Sequence, residues 1–273
     1  MGLVAIAPTI IALSDSLRDL SLTIINRRGE FIGLENYRIV LGHDENFFPS
    51  LWRTVTFVAI VVPIEFFAGL AIALWLDALS RGRRIITTLI MLPTMIAPVV
   101  VGMIWRNLLM PTFGPLTNFF QAVGLFADTS VFSEATTAFI AIALIDVWQW
   151  TPFMMLIMFA GLSAMSRAPI EAARIDGASS WQIAIYIRIP LLKPLIIIAL
   201  LFRTIDATRL FDKVYVLTGG GPGGATEFIS TYAHRTAFVQ WNLGYAAALC
   251  LVIAFMSVII AAFFYKLSIT SKK

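Results

Sequence analysis

Charged side chains stand inside long apolar stretches of this sequence. They are Glu65, Asp146, Arg203 and Asp206. A lone charge in apolar surroundings is costly, so each of them is expected to face water, a protein interior or an opposite charge. Arg203 and Asp206 are three residues apart, as are Asp206 and Arg209, and residues at this spacing are neighbours on a helix. The spacing predicts ion pairs within one helix, or a polar path through the interior.

A second group shares one predicted helix face with Asp146, because Gln149 and Trp150 follow three and four residues later. A carboxylate, an amide and an indole together suit a sugar, since two can hydrogen-bond to hydroxyls and one offers a flat apolar surface. The solvated end of a helix with tryptophans at a membrane interface would use the same residue types. The candidate solute pathway consists of Asp146, Gln149, Trp150, Arg203 and Asp206.

Residue patterns typical of catalysis are missing from the sequence. His43 and His234 lie far apart, and the single Cys250 stands in an apolar run and cannot form an intrachain disulfide. The phosphate-binding pattern G-x-x-x-x-G-K-[ST] does not occur, and its nearest imitation, GGGPGGAT at 219–226, lacks the lysine. We expect no catalytic residue, no metal site and no cofactor in this chain.

The composition of the chain indicates whether it folds in water or in a membrane. The chain is 59% hydrophobic and 13% charged with a mean hydropathy of +0.86, well above the ~45–50% apolar content of soluble domains. Its apolar residues fall into blocks long enough to cross a bilayer as helices. The sequence therefore predicts an all-α integral membrane protein with one transmembrane domain over 1–273. Six spans are predicted, at 3–25, 52–76, 85–105, 135–159, 194–210 and 244–265.

The first predicted span is unusual because Asp15, Arg18 and Asp19 follow its apolar start. A secretory signal peptide would have a basic start and a small-residue cleavage site, and neither is evident. We expect other helices to shelter the polar half of this span.

Basic residues beside the spans predict the orientation. The loop at 77–84 holds three arginines and the tail at 266–273 three lysines, and short basic segments face the cytoplasm. Both termini and the 160–193 loop are then cytoplasmic, while 26–51, 106–134 and 211–243 lie outside. This basic membrane face accounts for a pI near 9.4 without any nucleic acid.

The segment EAARIDGASSWQIAIYIRIP, at 171–190, lies in the predicted cytoplasmic loop. It predicts a short helix, a break at Gly177, and a second helix that Ser179 or Ser180 caps and that ends at Pro190. The small side chains of Ala172 and Ala173 leave room for close approach by another surface.

This segment resembles the cytoplasmic loop of binding-protein-dependent ABC importer permeases. The family pattern is Glu-Ala-Ala, three residues, Gly, nine residues and Ile-x-Leu-Pro, and Ile189 stands here in place of the leucine. Other stretches resemble the carbohydrate permeases, in particular the first permease subunit of maltose and glycerol-phosphate importers. They are FIGLENY (31–37), DVWQWTPFMMLIMFAGL (146–162) and LFRTIDATRLFDKVYVLTGGGPGGAT (201–226). The resemblance extends from about residue 31 to the C-terminus.

The resemblance implies a type I importer permease with six transmembrane helices, whose 160–193 loop carries a coupling helix that docks on a cytoplasmic ATPase. The docking residues implied are Glu171, Ala172, Ala173, Asp176, Gly177 and Ala178. It also implies a second related permease, two ATPase subunits that hold ATP and Mg²⁺, and an extracytoplasmic solute-binding protein. The membrane would be the cytoplasmic (inner) membrane of a bacterium or archaeon.

The solute implied is a sugar or a sugar-like molecule, and a polyol, a glycerol phosphate or a glycerophosphodiester is the alternative within the same class. A secondary transporter would often show two similar halves, and no internal repeat is visible. A membrane enzyme would need a reactive group of residues at the bilayer surface, which the sequence does not offer.

Overall fold

The computed structural model of the chain describes residues 2–22, 29–79, 81–124 and 130–270, with side chains from residue 6 to residue 267. Ser80 of the predicted basic loop, 271–273 of the tail and 23–25 of the first predicted span lie outside the described residues. The elements in chain order are α1 (Gly2–Ser16), β1 (Arg18–Asp19), β2 (Glu30–Phe31), α2 (Glu35–Gly42), α3 (Phe47–Ala78), α4 (Arg83–Met95), α5 (Pro98–Leu108), α6 (Pro115–Ala122), α7 (Ala135–Ala164), α8 (Ala168–Ile175), α9 (Ser180–Ile183), a π-helical turn (Ala184–Arg188), α10 (Ile189–Thr208), α11 (Asp212–Leu217), α12 (Ile229–Phe238) and α13 (Leu243–Thr270).

Helical stretches long and apolar enough to cross a membrane contain four of the predicted spans. They are Phe47–Ala78, Ala135–Ala164, Ser180–Leu217 and Leu243–Leu267. The span predicted at 85–105 is a broken helix, because α4 and α5 meet at an angle of 91°. By length and composition, the described residues thus contain four spans, or five if the bent pair counts as one, against the six predicted.

The bend between α4 and α5 has a local cause and a tertiary consequence. Pro98 begins α5, and a residue before proline is biased toward extended backbone, as Ala97 is with ψ of 137°. The break leaves the Ile96 carbonyl without a helical partner, and the Gln149 amide of α7 donates to it at 2.9 Å. Thr94 in turn donates its hydroxyl to the Gln149 carbonyl at 2.6 Å. The bend is therefore fixed against α7.

The first predicted span stops short of its expected end. Helix α1 ends at Ser16, and the backbone then pairs β1 with β2. The side-chain amide of Asn36 donates to the carbonyls of Ser16 (2.8 Å) and Arg18 (3.1 Å). A polar group from α2 thus satisfies the backbone where the helix ends. Of the polar residues expected in this span, Asp15 lies in α1, whereas Arg18 and Asp19 form β1.

The core of the bundle forms where α3 packs against α7. At Gly69 of α3, an added Cβ atom would lie 2.7 Å from Cβ of Met154 and 2.8 Å from the backbone nitrogen of Met155. Small residues allow such close approach between membrane helices. The large fully buried side chains of the two helices include Phe57, Leu76, Ile142, Met154, Met155 and Met158.

Substituting Gly69 with alanine is expected to destabilise the chain by about 1–3 kcal/mol, because the new methyl group must push α3 and α7 apart. The matched control is Gly42→Ala in α2, where an added Cβ atom meets nothing within 4 Å. Thermal unfolding in detergent measures both variants. A midpoint shift of equal size in the two variants would show that close helix packing at Gly69 is unimportant.

The predicted order of helix, glycine break and helix in the 160–193 loop is confirmed. Helix α8 is followed by Gly177 with φ of +81°, a left-handed backbone conformation that favours glycine. Ser179 caps α9 in a reciprocal arrangement, since its Oγ accepts from the Gln182 backbone N–H (3.3 Å) and its own N–H donates to Gln182 Oε1 (2.8 Å).

The prediction that this second helix ends at Pro190 is wrong. The π-helical turn follows α9 directly, and Pro190 lies at the start of α10, so the chain stays helical from Ser180 to Thr208. Proline lacks an N–H donor and sits well in the first turn of a helix. The wider turn shifts the hydrogen-bond pattern just before Pro190, so the proline begins α10 rather than interrupting it.

Candidate functional site

Arg203 of α10 is the centre of a buried ionic network. Its Nε donates to Glu65 Oε2 at 2.5 Å and its Nη2 to Glu65 Oε1 at 2.9 Å, a bidentate pair between α10 and α3. Nη2 also contacts Asp146 of α7, and Nη1 donates to Asp206 Oδ2 at 2.9 Å. The predicted Arg203–Asp206 ion pair is thus confirmed, within a larger set that joins three helices.

Lys213 of α11 completes the network through its contact with Asp146. The side chains of Glu65, Asp146, Arg203 and Lys213 are all at most 2% exposed. Two carboxylates and two cations therefore balance in the interior, which is the condition under which buried charges are tolerated. This quartet links α3 and α7 with the neighbouring helices α10 and α11, so three distant parts of the sequence meet in the interior.

Close backbone contacts hold these segments in place. Gly69, one helical turn after Glu65, allows α3 to approach α7, which carries Asp146. At Gly102 of α5, an added Cβ atom would lie 3.4 Å from Cα of Lys213, so α5 and α11 are also in contact. Small residues thus let the helices approach closely enough for the charged side chains to meet.

Asp206 and Trp150 are the pathway candidates that extend beyond this interior. The Asp206 side chain is 52% exposed although it pairs with Arg203. The indole of Trp150 is half-buried, its ring centroid lies 5.2 Å from Cζ of Arg203, and it packs edge-on against Phe153. The guanidinium group of Arg203 therefore contacts both the Asp206 carboxylate and the Trp150 ring.

The other pathway candidates on α7 lie deeper. Asp146 is 0% and Gln149 1% exposed, so the face predicted to carry Asp146, Gln149 and Trp150 is mostly covered within this chain. Asp146 is occupied by Arg203 and Lys213, and the Gln149 amide is turned toward Ile96. These two side chains position the network and the bend, while Trp150 remains accessible.

Sequence reasoning missed Lys213, which the predicted topology placed in an outer loop. It stands seven residues after Asp206, but α10 ends at Thr208 and α11 begins at Asp212, so the periodicity of one helix does not relate the two residues. Glu65 was recognised as a costly charge but had no visible partner, because Arg203 is 138 residues away.

The predicted docking segment is exposed. Along α8 and the following turn, Glu171, Ala172, Asp176 and Gly177 are exposed, and Ala173 and Ala178 are half-buried. Ile175 between them is 87% exposed. The predicted docking segment is thus mostly exposed in this chain.

A second polar cluster surrounds Asp44, just before α3. Its carboxylate accepts hydrogen bonds from the hydroxyls of Tyr232 (2.6 Å) and Tyr245, and from the backbone N–H groups of Asn46 and Phe47. Burial alone would raise the pKa of Asp44, but these donors together lower it. Burial and the bond to Asp44 raise the pKa of Tyr232 to about 12. The cluster joins α3, α12 and α13 at the predicted outer side.

The long apolar helices are those of an integral membrane protein. Residues 65–269 match the family described as the binding-protein-dependent transport system inner membrane component, and the chain belongs to this family. The resemblance seen in the 171–190 segment is thereby confirmed.

Two relatives illustrate the similarity. The trehalose/maltose transport system permease protein MalF of Thermococcus litoralis is 41% identical over 214 residues, which cover 78% of this chain and 70% of that protein. The trehalose transport system permease protein SugA of Mycobacterium tuberculosis is 35% identical over 237 residues, covering 87% of this chain and 75% of that protein.

A solved structure shows the same fold. A chain of a bacterial ABC transporter involved in the import of the acidic polysaccharide alginate superposes with a TM-score of 0.83 at 22% identity, over 98% of this chain and 90% of that chain. The all-α membrane fold of a type I importer permease, predicted from the sequence, is confirmed.

Proposed function

We propose that the chain is the permease subunit of an ATP-driven importer that carries a sugar or sugar-like solute received from an external binding protein. The observation that carries the substrate class is the 41% identity to a trehalose/maltose permease over most of the chain. The position of Trp150 and Asp206 supports it, because an aromatic face and a partly free carboxylate suit a hydroxylated ring.

Reconstituted transport tests this function. Vesicles that contain the chain with its co-purified subunits are expected to accumulate labelled trehalose or maltose only when ATP and the binding protein are supplied. Glycerol 3-phosphate is the comparison solute, and its preferential uptake would select the phosphorylated alternative. Uptake that follows an ion gradient without ATP would indicate a secondary transporter and refute the proposal.

Replacing Trp150 with alanine is expected to lower solute transport by about threefold to tenfold, the loss of one aromatic contact, while the complex still assembles. The matched control is Trp148→Ala on the same helix, since Trp148 is 41% exposed and packs on Trp105 instead of Arg203. Transport rate per assembled complex is measured. Equal rates in wild type and Trp150→Ala would place the solute path elsewhere.

The coupling proposal concerns α8 and the turn after it. Glu171, Ala172, Ala173, Asp176, Gly177 and Ala178 would contact the ATPase subunit, which would supply ATP and Mg²⁺. The exposure of four of them and the small size of four, the three alanines and Gly177, support a docking role, because backbone can then approach a partner closely. The complete importer would contain a second related permease, two such ATPases and one solute-binding protein.

The proposed membrane is the cytoplasmic membrane of a bacterium or archaeon, with both termini and α8 inside. Single cysteines in a Cys250→Ala background test this orientation. Arg81→Cys is expected to react with an impermeant maleimide only in inverted vesicles, and Ser133→Cys only in intact cells; both native side chains are exposed. The reverse pattern would place α8 outside and exclude its contact with an ATPase.

A further inference from the structure

A polar cavity of about 240 Å³ lies where the ends of α3 and α7 meet α8. Its charged lining consists of Arg83, Arg167, Arg174, Arg188, Asp77 and Glu171. Four guanidinium groups thus face two carboxylates. The excess of positive charge favours an anionic occupant.

Two of the four guanidinium groups of this cavity, those of Arg83 and Arg188, are held in place by their neighbours. Asp77 is shared, with Oδ2 3.1 Å from Arg188 Nη2 and Oδ1 4.0 Å from Arg83 Nη1. Arg83 also donates to Ser163 Oγ at 2.6 Å, and its Cζ lies 4.1 Å from the ring centroid of Phe159. The single negative charge of Asp77 therefore neutralises only part of the positive charge of Arg83 and Arg188.

An apolar groove of about 940 Å³ adjoins the cavity, and Asp77, Arg174 and Arg188 line both. The groove runs between α3 and the segment formed by α9 and the π-helical turn. Its walls include Phe67, Trp75 and Trp181, which are 65%, 51% and 72% exposed. The charged cavity and the exposed apolar groove thus lie side by side, with three side chains in common.

We propose that the cavity and groove bind one anionic phospholipid, with its phosphate among the arginines and its acyl chains along the groove. Basic pockets between membrane helices bind anionic headgroups, and tryptophans concentrate at the membrane interface. Placement of the lipid in the inner leaflet rests on the proposed orientation. Because Arg174 and Glu171 belong to α8, the bound headgroup would touch the segment proposed to dock the ATPase.

Lipid retention tests the site directly. The full chain, purified with the subunits that accompany it from native membrane, is stripped of lipid and given phosphatidylglycerol or phosphatidylcholine with identical acyl chains. Native mass spectrometry counts the lipid that remains bound. Wild type is expected to retain phosphatidylglycerol over phosphatidylcholine, and Arg83→Gln is expected to lower that retention about fivefold or more.

Arg84→Gln is the matched control, since Arg84 is adjacent and exposed but does not line the cavity. Trp181→Ala removes groove wall without changing charge, and it is expected to weaken retention even if Arg83→Gln folds poorly. Three results would each overturn the proposal. They are equal retention of the two lipids, equal effects of Arg83→Gln and Arg84→Gln on retention, and a cross-link from Trp181→Cys to another subunit that fills the groove. The measurement uses no transport, so its failure leaves the proposed function standing.

Discussion

Replacing Arg203 with methionine is expected to destabilise the folded chain by about 3–5 kcal/mol, because a buried charge then loses its counter-ion. Both oxygens of Glu65 are bound to this guanidinium, and the Glu65 side chain is 0% exposed. Asp146 keeps Lys213, so the uncompensated charge falls on Glu65. Thermal unfolding in detergent is expected to show a large drop in midpoint.

A charge-balanced variant distinguishes lost pairing from lost packing. Glu65→Met combined with Arg203→Met leaves Asp146 and Lys213 as a neutral pair, and it is expected to be more stable than Arg203→Met alone. Arg38→Met is the surface control, because the Arg38–Glu35 pair is 3.8 Å long and largely exposed, so its loss costs about 0–1 kcal/mol. Strictly additive effects in the double variant would show that the network does not act as a unit.

Reversing the charge of Glu171 is expected to lower ATP-dependent transport by about tenfold or more, as a misplaced charge at an interface costs several kcal/mol. Glu171 lies in the first turn of α8 and is exposed, so the chain itself should insert and fold normally. Co-purification of the ATPase with the permease gives a second measurement of docking. Glu45→Lys, an equally exposed reversal on the predicted outer side, is the control and should retain the ATPase.

Gly177 permits a finer test of the same surface. Its φ of +81° strains any side chain with a Cβ atom, but the site is open, since nothing lies within 4 Å of an added Cβ. Asparagine tolerates this conformation better than valine does. Gly177→Asn should therefore retain more ATPase than Gly177→Val. Normal ATPase binding by Glu171→Lys and Gly177→Val together would contradict a docking role for this segment.

Local sequence patterns predicted those features that depend on residues close together in the sequence. The apolar blocks predicted three spans to within five residues of the helical segments that contain them, whereas the span predicted at 194–210 lies well inside the longer helical stretch Ser180–Leu217. The Gly177 break with a serine cap after it follows from backbone preferences. The Arg203–Asp206 pair was found because helical neighbours have a fixed spacing.

Features that depend on tertiary contacts could not be predicted in this way. The early end of α1 depends on an amide from α2, and the position of Gln149 depends on a carbonyl freed by the bend at Ile96. Pro190 follows a π-helical turn, which has no clear sequence pattern. Glu65 and Arg203 are 138 residues apart, so the periodicity of a helix or a strand does not predict that they pair.

The same separation has a consequence for biosynthesis. Glu65 leaves the ribosome 138 residues before Arg203, an interval of roughly 7–30 s at about 5–20 residues per second. Asp146 also precedes both of its cations, Arg203 and Lys213. Over the last 57 residues of this interval, the nascent chain holds both carboxylates without the cations that later neutralise them. The first half of the bundle therefore cannot reach its final packing until translation has passed Lys213, and its carboxylates must meanwhile stay near water, near the insertion machinery, or protonated.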